Sequence, residues 1–234
     1  MKIAVLSDIH SAAAPFEAAL AAARGQGFDQ LVILGDLLTY GPQPERCLAL
    51  ASEALARDNA VLILGNHDSL YLAGGSYGRP LPEWIQESVE WTRERIGAGA
   101  LDPFPWTEEW TAGSTLLSHA NPFGSGDWSY LRSGEDHERA ASCLAERGFS
   151  AGIFGHVHRI AEHHGAAAVF TVGSLGQPRN RDDKRPSWAS VELDSGEPVV
   201  THHLLEIDWQ EHCRALHATN MTSSTIEQLC RFYL

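Results

Sequence analysis

The chain has 234 residues, 44% hydrophobic and 20% charged, enough to bury a substantial core. Its formal net charge of -13 argues against a nucleic-acid backbone or an anionic membrane surface as the main partner. No apolar run approaches the ~18 residues that span a bilayer. Cys47, Cys143, Cys213 and Cys230 form no C-x-x-C pair, so buried thiols in a reducing compartment are expected, not a disulfide framework or structural zinc.

The N-terminus enters a strand directly, without a leader's basic and apolar segments, and the chain reads as soluble and cytoplasmic. Lys2 to Leu6 is a short apolar run followed by Ser7-Asp8-Ile9-His10. If the chain stays extended there, Asp8 and His10 project to one side. Ala12 to Arg24, with Phe16 and Leu20 at helical spacing, predicts a helix stopped by Gly25 and Gly27. Leu31 to Leu34 predicts a second strand ending in Gly35-Asp36, followed by a loop marked by Gly41, Pro42 and Pro44. Glu45 to Arg57 has helical periodicity, and Val61 to Leu64 predicts a third strand running into Gly65-Asn66-His67-Asp68. Strands alternating with helices over short links imply a parallel sheet.

The next stretch is less regular. Gly74, Gly75, Gly78, Pro80 and Pro82 mark a loop, Glu83 to Ile96 reads as a helix, and Pro103 and Pro105 break the pattern again. Thr115 to Ser118 predicts a strand ending in His119, Gly134 to Arg147 a helix, and Ala151 to Phe154 a strand ending in Gly155-His156-Val157-His158. Ile160–His164, Ala167–Val172, Trp188–Leu193 and Val199–Leu205 then read as strands joined by turns, with Gly165 and Ser195-Gly196 as hairpin signals. Asp208 to Leu234 is predicted helical, interrupted around Asn220. The expectation is one α/β domain over 1–234, with a core at 1–205 and a helical extension at 206–234. Two sheets packed face to face and flanked by helices fit this order.

The strand ends collect Asp8, His10, Asp36, Asn66, His67, His119, His156 and His158. Ligands gather beyond the carboxyl ends of strands in such sheets. Taken singly, each piece has a bland reading: an Asp after a strand caps a helix, and Gly-Asn-His-Asp makes a tight turn. Their joint appearance, each straight after a predicted strand, points to a metal site. Oxygen and imidazole ligands without thiolate suit Mn, Fe, Zn, Co or Mg. A carboxylate bridging two such cations creates a clamp for phosphoryl oxygens and a hydroxide near neutral pH.

The motifs Asp8–His10, Gly35–Asp36, Gly65–Asp68, His119 and Gly155–His158 together resemble the pattern of the calcineurin-like metallophosphoesterases, over about residues 1 to 205. That resemblance implies a four-layer α/β/β/α sandwich with two mixed β-sheets and a dimetal site between them. It implies Asp8, His10 and His158 on one metal, Asn66, His119 and His156 on the other, and Asp36 as the bridge. A bridging hydroxide would attack phosphorus, with His67 as general acid and Asp68 orienting and charging its imidazole. The implied cofactors are two divalent ions, manganese first, with Fe, Zn, Ni or Co also suited.

Gly35–Pro42 and Gly173–Arg179 look like the prokaryotic small-phosphodiesterase branch of that family. The Gly-Ser-x-Gly segment with Ser174 can bring backbone N–H groups to an anion, and Arg179 can contact phosphate, as can Asn66. The alternative for Arg179 is an ion pair with Asp182 or Asp183. Tyr40 packs over the site or only on its loop. Among the aromatics Tyr71, Tyr77, Trp84, Trp91, Phe104, Trp106 and Trp110, the reading favoured is a layer packed on the sheet, over a cap that stacks a nucleobase. Trp128 and Tyr130 are the better substrate-contact candidates. His163-His164 and His202-His203 read as partly exposed strand residues. The expected function is hydrolysis of a small phosphodiester or phosphoanhydride. The rivals are a dinucleoside polyphosphate hydrolase, a phosphomonoesterase or, from another class, a non-catalytic metal-binding scaffold. No polynucleotide or membrane partner is expected, and the C-terminal helices cover a sheet edge or join a homo-oligomer.

Overall fold

The computed structural model describes residues 1–72, 75, 80–180, 182–194 and 196–234. Tyr77, Gly74, Gly78 and Ser195 of the sequence reading lie outside them.

The first sheet grows from β1 (Lys2–Leu6), β2 (Gln30–Ile33), β3 (Val61–Ile63) and β4 (Trp106–Thr107), all parallel. The helices α1 (Ala13–Gln26) and α2 (Pro44–Asp58) cross from β1 to β2 and from β2 to β3. On the other side of β1 the chain returns antiparallel as β10 (Ser187–Glu192) and β11 (Val199–Leu204), completing the order β11-β10-β1-β2-β3-β4. The second sheet has the order β5-β6-β7-β9-β8, from β5 (Glu109–Ala112), β6 (Thr115–Ser118), β7 (Ala151–Phe154), β8 (Ile160–His164) and β9 (Ala168–Val172). Its β6, β7 and β9 run parallel, with antiparallel strands on either side.

Strand period explains the layers. Ile3 and Val5 of β1 face the second sheet, joining Val32, Ile63, Leu117, Ile153 and Phe170. The alternate residues Ala4 and Leu6 face α1 and α2, where Phe16, Leu20 and Leu50 bury. A strand covered on both faces reads as a continuous apolar run, which is why β1, β2 and β3 were visible in sequence. On the far side, α4 (Gly134–Glu146) lays Ala140, Ala141 and Leu144 over Leu116, Phe154 and Val169. The result is the expected pair of mixed sheets flanked by helices.

Two strands escaped the sequence reading. β4 is two residues long and follows the prolines at 103 and 105, while β5 pairs with β6 through a hairpin at Gly113 (φ 58°). Both lie at sheet edges and are only partly buried, without a continuous apolar run. At the C-terminus, α5 (Trp209–His217) and α6 (Ser223–Cys230) start on Asp208 and Thr222, whose side chains accept from backbone N–H groups of the first turn. They pack with α3 (Glu83–Ile96) around Trp91, Trp209, Leu229 and, from the loop after β2, Tyr40.

Candidate metal centre

Each parallel strand near the sheet centre ends in an abrupt turn. Asp8, His10, Asp36, His156 and His158 all have positive φ, between 47° and 63°. The expectation of an extended chain at Asp8–His10 is thus corrected: both side chains reach the same place because the backbone coils left-handed. Such a conformation costs on the order of 1–3 kcal/mol per non-glycine residue and persists only where neighbours impose it. Here Asp8 N–H donates to the Gly35 carbonyl at 3.1 Å and His10 N–H to the Asp36 carbonyl at 2.9 Å. The glycines preceding the ligands are required by closeness. A Cβ on Gly65 would lie 2.2 Å from Asp36 Oδ1, and one on Gly155 would lie 1.9 Å from Ser7 Oγ.

These turns gather two groups of side chains that could hold metal ions, and the groups share one member. Asp8, His10, Asp36 and His158 form the first, and Asp36, His119 and His156 the second, each with ligand atoms within 4.8 Å of one another. Asn66 joins the second, its Oδ1 lying 3.1 Å from His119 Nε2. All are buried.

Whether these residues fit cations can be asked of individual atoms. Asp36 Oδ1 accepts from His67 N–H at 2.8 Å, whereas Oδ2 is buried without a hydrogen bond among the described residues. That oxygen lies 3.7 Å from His10 Nε2 and 3.5 Å from His119 Nε2, between the two groups. A buried, unsatisfied carboxylate oxygen is expensive unless a cation meets it. The imidazoles are oriented in keeping with this. Nδ1 of His10, His119 and His158 is tied to the carbonyls of Leu38, Leu34 and Gln177, at 3.1, 2.6 and 2.8 Å, which turns each Nε2 inward. His156 is reversed: its Nε2 lies 3.0 Å from the Trp128 carbonyl, which leaves Nδ1 as the atom that could meet a cation.

Protonation follows the same logic. Burial drives the pKa of His10 well below its ordinary value and that of His156 down to about 3, so both present lone pairs. Burial alone would raise Asp8 and Asp36, but His158 beside Asp8, and His119 with His67 around Asp36, outweigh it and hold both carboxyls ionised. His119 is the exception among the imidazoles. Burial lowers its pKa, yet the charge of Asp36 outweighs this and raises it to about 9. A cation beside Asp36 would replace that proton.

A family model of calcineurin-like phosphoesterases matches residues 1–160. The chain belongs to that family. A curated relative, an uncharacterized protein of Methanocaldococcus jannaschii, is 31% identical over 138 residues, which span 55% of this chain and 53% of the relative. A metallophosphoesterase from Sphaerobacter thermophilus shares the fold at TM-score 0.77, with 22% identity and 99% of each chain covered. A hypothetical protein of Pyrococcus horikoshii does so at TM-score 0.83, with 15% identity and 97% of each chain covered.

Three expectations for this phosphoesterase-family site are corrected by where the side chains point. Asp68 was expected to orient His67. Its carboxylate instead accepts from the backbone N–H groups of Asp36 (2.7 Å), Leu37 (2.8 Å) and Gly65 (3.1 Å), so it holds the β2 and β3 turns together. Burial pushes the His67 pKa down to about 4, opposite to the rise expected from an adjacent carboxylate. Ser174 was expected to face an anion, but its hydroxyl donates to the Asp8 carbonyl at 2.8 Å and accepts from Gln177 N–H at 2.9 Å. The neighbouring Leu175 and Gly176 N–H groups donate to the Ser7 and Asp8 carbonyls. The Gly-Ser-x-Gly segment is therefore a brace beneath Asp8 and His10.

Among the described residues Arg179 makes neither of the ion pairs named as the alternative to a phosphate contact. Asp183 is taken by Arg185, and the Arg179 guanidinium sits on Gln177 Oε1. Trp128 and Tyr130 do reach the site, Trp128 through its carbonyl and Tyr130 by stacking on His156 at 4.2 Å. Sequence reasoning missed Thr39 and left Tyr40 open. Thr39 Oγ1 lies 3.2 Å from His67 Nδ1, and the Tyr40 hydroxyl lies 3.0 Å from Nε2. Their place directly after Gly35-Asp36 was the available signal.

Proposed function

We propose that this protein is a dinuclear metal-dependent phosphohydrolase acting on a small phosphodiester or phosphoanhydride. The observation that carries this reading is Asp36 Oδ2, a buried and unsatisfied carboxylate oxygen shared by two adjoining ligand groups. Asp8, His10 and His158 would hold one cation, Asn66, His119 and His156 the other, with Asp36 common to both. Two bound divalent cations supply charge neutralisation for the phosphoryl oxygens and a water acidic enough to attack at neutral pH. Manganese suits these ligands, as do Fe, Zn, Ni and Co.

The remaining roles belong to the chain itself. His67, beside Asn66, serves the leaving oxygen, and its buried ring is kept from bulk water. Asp68 acts indirectly, by fixing the turns that carry Asp36 and His67. Arg179 contributes a guanidinium at the rim of a cleft of about 490 Å³ that Tyr40, Trp84, Tyr130 and Phe232 also line. A planar organic substituent, such as a nucleoside, suits aromatic walls beside a cationic head group. This favours a diester or dinucleotide over a bare phosphomonoester.

The test is hydrolysis by metal-stripped protein reconstituted with Mn, offered bis-p-nitrophenyl phosphate, p-nitrophenyl phosphate and diadenosine tetraphosphate. Diester cleavage well above monoester cleavage is expected. Preference for the tetraphosphate would shift the assignment to nucleotide hydrolysis. No turnover despite two bound ions would replace it with a metal-binding scaffold.

A further inference from the structure

We propose that Thr39 positions the imidazole of His67, and that Tyr71 holds Thr39 for that task. This rests on the phosphohydrolase reading, in which His67 serves the leaving oxygen. Thr39 Oγ1 lies 3.2 Å from His67 Nδ1 and 2.7 Å from the Tyr71 hydroxyl. All three side chains are buried. The acid nearest in sequence, Asp68, is turned to backbone N–H groups instead. On the opposite edge of the ring, the Tyr40 hydroxyl lies 3.0 Å from Nε2, so Nε2, the nitrogen a leaving oxygen would share with Tyr40, is fixed in direction by the Thr39 hold on Nδ1.

The backbone is shaped to deliver these groups. Thr39 and Tyr40 are consecutive non-glycine residues with φ of 78° and 69°. For a β-branched residue and an aromatic one, that conformation persists only under constraint. The constraint comes from both sides: Tyr40 N–H donates to Ser88 Oγ on α3 at 2.9 Å, and Gly41 N–H to the His10 carbonyl at 2.9 Å. A Cβ on Gly41 would lie 2.3 Å from that carbonyl oxygen, so the turn fits only with glycine there.

A hydroxyl at Nδ1 does what a carboxylate cannot. It accepts from a ring N–H or donates to a bare ring nitrogen, and with Tyr71 behind it the two hydroxyls can reverse together. The ring thus keeps one orientation in either form, and no further negative charge is set beside Asp36.

Thr39→Val keeps the β-branched shape and removes the hydroxyl, whereas Thr39→Ser keeps the hydroxyl. With metals bound, the Val variant is expected to lower kcat about tenfold or more on esters with poor leaving groups, at unchanged KM and metal content. The Ser variant should restore most of that loss. Tyr71→Phe, which leaves Thr39 in place, should give a smaller loss of the same kind. Nitrogen-15 NMR of the His67 ring in metal-free protein supplies a readout independent of turnover: its signals should shift in the Val variant and return in the Ser variant. An unchanged ring spectrum or an undiminished kcat in Thr39→Val overturns the proposal. If that variant fails to fold, Tyr71→Phe decides by the same two measurements. If the wild-type protein hydrolyses no phosphoester, the functional reading fails, and the ring spectrum still decides the positioning.

Discussion

The two oxygens of Asp36 have separate tasks, and a single substitution separates them. Asp36→Asn keeps an acceptor for His67 N–H but removes the charge from the Oδ2 position. It is expected to leave the fold intact and to lower bound metal well below two ions per chain, measured by elemental analysis after gel filtration. Two retained ions would contradict the bridge. His67→Ala should show the converse: both ions retained, and turnover of poor leaving groups reduced by about a hundredfold or more. Full turnover would remove His67 from the chemistry. At this scale the letters of the candidate ligands were legible because the motif residues sit where apolar runs stop. Their manner of convergence was not, since it rests on five positive φ values and on bonds distant in sequence, such as Asp8 N–H to the Gly35 carbonyl, that no local pattern announces. The tasks of Asp68 and Ser174 were likewise hidden, because a carboxylate serving backbone N–H groups has the same letter as one serving an imidazole.

Glycines at the strand ends carry the same lesson at the level of elements. Gly155, between β7 and His156, lies where a Cβ would meet Ser7 Oγ, itself bonded to Asp8 Oδ2 at 2.6 Å. Gly155→Ala is expected to cost about 1–3 kcal/mol of stability through overpacking and to weaken metal binding as Asp8 shifts. Gly25 in α1 is the control: it is exposed, has no neighbour within 4 Å, and has an ordinary helical backbone. Gly25→Ala should raise stability by roughly 0.5 kcal/mol, with metal affinity unchanged. Thermal melts with a metal titration on both variants check the pair; equal effects would refute the crowding argument. The buried strands, read as continuous apolar runs, and the periodic helices were readable beforehand. β4 and β5 were not, because at the sheet edges they are only partly buried and carry no continuous apolar run.

Over the whole molecule, acid and metal should act on stability in predictable directions. His212, buried against Trp209 and Tyr233, has its pKa pushed down to about 4 by burial. Its folded value lies below its unfolded value of 6.5, so its contribution is fully present above pH 6.5 and is lost as pH falls toward 4. Metal-free protein should therefore melt progressively lower across that window, and His212→Asn should flatten the part due to this residue. Metal removal works through the other end of the molecule. Without ions, two buried carboxylates, Asp8 and Asp36, face one another with only histidines and a few hydrogen bonds to offset their charge. Tm should rise by several degrees on Mn addition, in proportion to the logarithm of metal concentration above the dissociation constant. A Tm indifferent to metal would argue against the site.

Each ligand group draws on both sheets: His158 follows β7 while Asp8, His10 and Asp36 follow β1 and β2, and His119 and His156 join Asp36 from the opposite side. A cation bound there would be a rivet through two plates that are otherwise joined by apolar contact and by a few hydrogen bonds between strand ends, such as His119 Nδ1 to the Leu34 carbonyl. Loading it should stop the plates from sliding, so amide exchange in β1, β2, β6 and β7 should slow together as one unit. An ion proposed for chemistry would then also be the fastener that keeps the two sheets in register.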